Sequence, residues 1–236
     1  MTWLSRICFS AVLASTAFGA TVSGRVELVD SRAPAVRRRH DYSGVAVWLE
    51  PIGAARPPAA ERARMLQKDK TFQPHLLIVT VGSTVEFPNL DPIFHNAFSN
   101  YDGQIFDVGL YPPGTTRSIR FSRPGIVRVF CNIHSSMSAI IVVLDTPYFA
   151  VTKADGRFEI GGVPEGEHDL KFFHERATQA ALLRASRQIT VGSEPVTIPA
   201  VRISEEGYLS IPHKNKYGQD YPPAADDAGY YPATHK

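Results

Sequence analysis

From Thr21 onward, apolar and polar positions alternate in short runs. Val22-Ser23-Gly24-Arg25-Val26-Glu27-Leu28-Val29 and Gly44-Val45-Ala46-Val47-Trp48-Leu49 both predict strands with one buried face. Between them, Arg37-Arg38-Arg39-His40 stands beside Pro34 and Asp41 and reads as a solvated loop. The alternation then stops. Residues 51–63 hold three prolines and five alanines, and with Arg64 to Lys70 they predict a linker carrying one short helix. A second β region opens after His75 with Leu76-Leu77-Ile78-Val79-Thr80-Val81, turns at Gly82-Ser83, and continues as Thr84-Val85-Glu86-Phe87. After an irregular stretch it resumes at Ser118–Phe121, Ile126–Phe130 and Ala139–Leu144. A third region runs through Phe149–Val151, the Asp155-Gly156 turn, Arg157–Ile160, His168–Phe173 and Val196–Ile203. Residues 175–187 suit a helix or a loop and strand equally. Short strands punctuated by turns predict an all-β chain, a sandwich or a barrel. Beyond residue 212 no periodicity remains, so residues 205–236 are expected to form a partly disordered tail.

Composition changes this picture little. The chain has 236 residues, 44% hydrophobic and 20% charged, with a formal net charge of +2. No charge surplus points to nucleic acid or an acidic membrane. The first nineteen residues read as a signal peptide. Arg6 gives a positive start, Ile7 to Phe18 is apolar, and Ala17-Phe18-Gly19 offers small residues at a cleavage site. The apolar run falls short of the roughly twenty residues a membrane span needs, so no stable membrane insertion is expected. No twin arginine is present, and export to the periplasm by the general route is predicted. Of the two cysteines, Cys8 would leave with that leader, and Cys131 would remain alone in an oxidising compartment. A lone exported cysteine is a buried thiol, an intermolecular bridge or a metal ligand.

Its neighbours favour a ligand. In Val129-Phe130-Cys131-Asn132-Ile133-His134-Ser135-Ser136-Met137, a thiolate, an imidazole and a thioether follow at Cys-x2-His-x2-Met spacing between two apolar strands. Thiolate and thioether select copper, especially Cu(I), while imidazole also accommodates Cu(II). Three donors from one loop do not enclose an ion. His95, just past the strand ending at Phe87, is the expected fourth, and Asn96 beside it could hydrogen-bond the ligand loops together. Packing of a buried cysteine near a histidine is the bland alternative. Zinc is the chemical one, although methionine is a poor zinc ligand. His75, after Pro74, reads as a strand-end surface histidine that could approach the metal. His40, His168, His174, His213 and His235 show no ligand spacing and read as solvated or structural.

Val81-Gly82-Ser83-Thr84-Val85-Glu86-Phe87, His95-Asn96 and the Cys131/His134/Met137 loop together resemble the small blue-copper proteins, the cupredoxins, with loop spacing most similar to amicyanin. The resemblance covers residues 70–145. It implies a Greek-key β-sandwich in which His95, Cys131 and His134 surround one mononuclear type 1 copper and Met137 makes a long axial bond. Asn132-Ile133 departs from the pattern, because those families usually place a proline before the histidine. Residues 20–51 and 146–204 each look incomplete alone. Ser23-Gly24-Arg25-Val26, Ser43–Val47, Asp155–Ile160 and Val163-Pro164-Glu165-Gly166 resemble the carboxypeptidase regulatory-like, transthyretin-type sandwich. That resemblance implies a second small β-sandwich, without catalytic residues, built from the two flanking segments. The cupredoxin would then be inserted at its joint, behind a linker at residues 52–69.

Three function classes follow. The first is a periplasmic one-electron carrier that meets a redox partner protein. The second is a copper carrier or store that meets a copper-accepting protein. The third, a copper enzyme, is not expected. Copper oxidases and nitrite reductases need further histidines around the cysteine, whereas Phe130 and Asn132 flank Cys131. The oligomeric state is not legible.

Overall fold

The computed structural model describes residues 19–53, 58–100, 103–210 and 212–221. The expected leader lies outside them except for Gly19, as do His235 and the last fifteen residues. The described chain is mostly strand. It begins with β1 (Ala20–Val29), α1 (Pro34–Arg39) and β2 (Ala46–Pro51). The middle holds β3 (Arg62–Arg64), β4 (Leu66–Lys68), β5 (Thr71–Gln73), β6 (Leu76–Thr80), β7 (Thr84–Pro88), β8 (Phe98–Ser99), β9 (Phe106–Asp107), β10 (Thr116–Arg120), β11 (Gly125–Phe130) and β12 (Ser138–Leu144). Then follow β13 (Phe149–Val151), β14 (Arg157–Val163), β15 (Gly166–Phe173), α2 (Gln179–Ala185), β16 (Arg187–Val191), β17 (Val196–Thr197) and β18 (Val201–Ser204).

The first and last parts of the chain share their sheets. β1 lies antiparallel to β14, with Val22 opposite Ile160, and parallel to β17 and β18. β2 lies between β13 and β15, and β16 extends that sheet. Gly156 makes the tight turn before β14 at φ +80°, and a Cβ there would sit 2.0 Å from the carbonyl oxygen of Val26. Glycine is required at that point both by backbone angle and by space.

Residues 62–144 form a separate pair of sheets, ordered β6-β12-β11-β8-β9 and β10-β7-β3. Their inner faces meet in one core that includes Val79, Val85, Phe87, Val127, Val129, Ile141 and Val143. β12 is central, parallel to β6 on one side and antiparallel to β11 on the other. Its Ala139, Ile141 and Val143 enter this core, while Ile140, Val142 and Leu144 enter the core of the flanking sheets. Side chains alternate across a strand, so a strand buried on both faces is apolar throughout, as residues 139–144 are. The two layers are therefore fused through shared apolar packing.

Local differences from the sequence expectations have physical reasons. Residues 62–68, expected as linker with a short helix, are extended, with β3 parallel to β7 and β4 antiparallel to β5. Arg62 and Arg64 both reach Glu86, at 2.8 and 3.0 Å. An edge strand stabilised by charge shows no hydrophobic alternation to read. The arginine run lies on α1, which starts at Pro34 and buries Val36 while Arg37, Arg38 and Arg39 stay exposed. Residues 179–185 are helical, and the Thr178 hydroxyl accepts the Ala181 N–H at 3.2 Å as the cap of α2. Among the described residues, no helix is long and apolar enough to cross a membrane.

Candidate metal centre

Two loops at one end of the inner sandwich bring His95, Cys131 and His134 together. The first, between β7 and β8, is built on Asn89. Its side-chain oxygen accepts the Asp91 N–H (3.1 Å) and its amide donates to the Ile93 carbonyl (2.7 Å). Such an Asx turn fixes the backbone ahead of His95. His95 and Tyr111 then exchange backbone hydrogen bonds of 3.1 and 2.9 Å. Tyr111 is fully buried, and its hydroxyl donates to Gln67 Oε1 (2.5 Å) and the Phe87 carbonyl (2.9 Å). Gln67, also buried, donates to the Asn96 carbonyl at 3.0 Å. The second loop leaves β11 at Cys131 and returns at Met137. It is closed by Cys131 N–H to Met137 O (3.2 Å) and Met137 N–H to His134 O (3.1 Å).

The ligand atoms of His95, Cys131 and His134 lie within 4.8 Å of one another. Cys131 Sγ is 3.9 Å from His95 Nδ1 and 3.7 Å from His134 Nδ1. Metal bonds of about 2.3 Å to sulfur and about 2.0 Å to nitrogen, meeting at trigonal to tetrahedral angles, separate the two atoms by about 3.5–3.7 Å. The two sulfur–nitrogen spacings are at or slightly beyond that span, so each histidine stands within reach of an ion shared with Cys131. His95 and Cys131 are fully buried, and His134 is partly exposed. The two rings stand edge to face, with centroids 4.9 Å apart. Met137 is fully buried in the same core cluster as Cys131.

Asn96 stands between the loops. Its Oδ1 accepts the Asn132 N–H (3.3 Å), and its Nδ2 donates to Asp107 Oδ1 (2.7 Å) and the Gly109 carbonyl (2.9 Å).

Asp91, which sequence reasoning passed over, is bonded to the His95 ring, with Oδ2 2.7 Å from Nε2. Burial raises the Asp91 pKa, but the Lys70 N–H, the His95 ring and the Asp69 N–H outweigh it and hold the carboxyl below its ordinary value. An ionised carboxylate only accepts, so His95 Nε2 carries a proton toward Asp91, and in the neutral ring Nδ1 is then the atom left to face the sulfur as a donor to a metal. Asp91 also accepts the backbone N–H groups of Asp69 (2.6 Å) and Lys70 (2.9 Å), which form the β4–β5 turn at φ +54° and +52°. Its spacing from Asn89 could have marked it as a turn residue, though not as a partner of His95. Burial pushes the Cys131 thiol pKa up, against the N–H groups of Ile133, Asn96 and His134. A metal cation would offset that cost of ionisation.

The other described histidines stand outside the cluster. His75 Nε2 meets Glu175 at 2.7 Å and its Nδ1 lies 3.1 Å from the Ser138 carbonyl. His40 is exposed beside Tyr42, while His168 and His174 are buried in the flanking sheets. His213 packs on the ligand loop, its ring stacked on Phe130 at 4.1 Å.

The fold and site define an all-β protein of packed sheets with a buried His-Cys-His cluster. No protein-family model matches the chain, and no curated protein matches it. Among solved structures it is similar to a purple cupredoxin from Nitrosopumilus maritimus, at 21% identity over 35% of this chain and 99% of that one, with a TM-score of 0.33. It is also similar to a copper-containing nitrite reductase from Thermus scotoductus SA-01, at 24% identity over 51% of this chain and 28% of that one, with a TM-score of 0.34. A reduced amicyanin variant shares 20% identity over 34% of this chain and 80% of its own length, at a TM-score of 0.33. Likeness at this level speaks to neither activity nor cofactor.

Proposed function

We propose that this protein is an exported cupredoxin. In this reading it is a periplasmic one-electron carrier in which His95, Cys131 and His134, with Met137 as a further donor, would hold one mononuclear type 1 copper. The observation that carries the reading is the convergence of one thiol and two imidazole nitrogens within 4.8 Å at a buried loop pair. Copper bound there would supply a Cu(I)/Cu(II) couple. The protein's part is to hold the donors still: Asp91 orients His95, Asn96 ties the loops, and the hydrogen-bonded turn fixes Cys131 against Met137. Fixed donors suit a carrier, since gain or loss of one electron then needs little rearrangement.

Partial exposure of His134 supports direct exchange with a redox partner over copper storage behind a closed cover. Leu90, Pro92 and Phe94 on the His95 loop, with Leu110, Pro112 and Pro113 beside Tyr111, are exposed and uncharged. They make up the proposed docking patch, since electron-transfer encounters need only a small interface.

Titration with Cu(II) tests the reading. It should produce an intense visible thiolate charge-transfer band that saturates at one copper per chain and is abolished in Cys131→Ser. A band that survives in Cys131→Ser would sink the assignment, as would selective zinc binding with no copper band.

A further inference from the structure

The segment at residues 212–221 carries no periodic pattern, yet it runs across the ligand loop. The His213 ring lies on Phe130 with planes 27° apart, and its Nε2 donates to the Ser135 carbonyl at 2.9 Å. The Tyr221 hydroxyl donates to the Cys131 carbonyl at 2.7 Å, and its ring stands edge-on to His213 at 5.1 Å. Between these anchors, the Lys216 N–H donates to Asn132 Oδ1 (2.9 Å) and Lys216 Nζ meets Asp107 Oδ2 at 2.8 Å. The other oxygen of Asp107 is the one that accepts from Asn96, next to His95. One short stretch therefore grips Phe130, Cys131, Asn132 and Ser135 from outside and reaches the His95 loop through Asp107 and Asn96.

We infer that His213 and Tyr221 are positioning residues, and that residues 212–221 clamp the ligand loop so that its donors keep their spacing. The loop needs an external restraint. No proline lies between Cys131 and Met137 to fix its backbone, and its own closure consists of two backbone hydrogen bonds. Opening of the loop carries Cys131 away from His134 and breaks the bonds of the loop carbonyls to Tyr221 and His213. The clamp thus slows both exposure of the buried thiol and escape of a bound ion. For the ion, the inference rests on the copper reading above; for the thiol, it does not.

The test uses the full chain in a Cys8→Ser background and compares Tyr221→Phe, His213→Ala and the double variant with wild type. Tyr148→Phe, which changes a tyrosine packed on the core of the flanking sheets, is the control. Two rates are read: modification of Cys131 by a disulfide reagent in metal-free protein, and transfer of Cu(I) to a strong chelator after loading. Loss of one net hydrogen bond predicts both rates rising about three- to tenfold in Tyr221→Phe, and further in the double variant. The Tyr148→Phe control should stay at wild-type rates. Rates within twofold of wild type in Tyr221→Phe and the double variant would overturn the clamp, as would a gain fully matched by lower global stability. If His213→Ala does not fold, Tyr221→Phe decides alone. If wild type takes up no copper, the copper reading fails and the thiol rate still judges the clamp. If copper binds and neither rate moves, the clamp fails and the site stands.

Discussion

Asp91 puts a negative charge against the ring of a buried candidate ligand, and three donors converge on it: the His95 ring and the N–H groups of Asp69 and Lys70. A carboxylate so placed makes the imidazole a better donor and favours the more highly charged state of the metal. Asp91→Asn keeps an acceptor and removes the charge. The reduction potential of the copper-loaded protein should rise by on the order of 100 mV. That is about 2 kcal/mol, the scale for a unit charge one imidazole away at an effective dielectric near 20. Voltammetry checks this, and an unchanged or lower potential would contradict it. At this scale the sequence was legible where chemistry is contiguous: Cys131 and His134 fall within four residues, and their ligand atoms do converge with that of His95. Asp91, His213 and Tyr221 were not. Asp91 lies only four residues before His95, but its bond to the ring depends on how that loop folds. His213 and Tyr221 meet the ligand loop across 78 and 90 residues, and such contacts leave no repeat in the chain.

At the scale of elements, β12 shows why an unbroken apolar run arises. Were its outer face solvated, Ile140 and Val142 would have no reason to be apolar; here they are 2% and 0% exposed in the flanking core. Ile140→Ala should therefore destabilise the protein about as much as Ile141→Ala, each by about 2–5 kcal/mol in urea unfolding. A change below about 0.5 kcal/mol for Ile140→Ala would mean that the two layers are not packed together in solution. The long apolar strands were readable from pattern alone. The edge strands β3 and β4 were not, because an ion pair at Glu86 and a turn held by Asp91 stabilise them where alternation is absent.

At the scale of the whole molecule, the first and last described strands are joined in one sheet that flanks the layer carrying the candidate site. Glu205, just past β18, is 6% exposed and accepts from Ser31, His174 and Arg176. Burial raises its pKa, but His174, Arg176 and Ser31 outweigh burial and bring the carboxyl from 4.5 down to about 2. A depressed folded pKa contributes stability that is fully present above the unfolded value and fades as pH falls through the folded one. The stability difference between wild type and Glu205→Gln should thus be constant above about pH 5 and shrink between 4.5 and about 2. A pH-independent difference in urea midpoints would remove Glu205 from the account. With the ends joined and β12 shared, the site belongs to one body, and its loops need only local restraint to hold three donors about one point. Copper K-edge X-ray absorption on the loaded protein tests that central claim most directly. The account predicts one short sulfur and two imidazole nitrogens bound to copper, with the sulfur lost in Cys131→Ser. A copper shell of nitrogen and oxygen alone in the wild-type protein would contradict it.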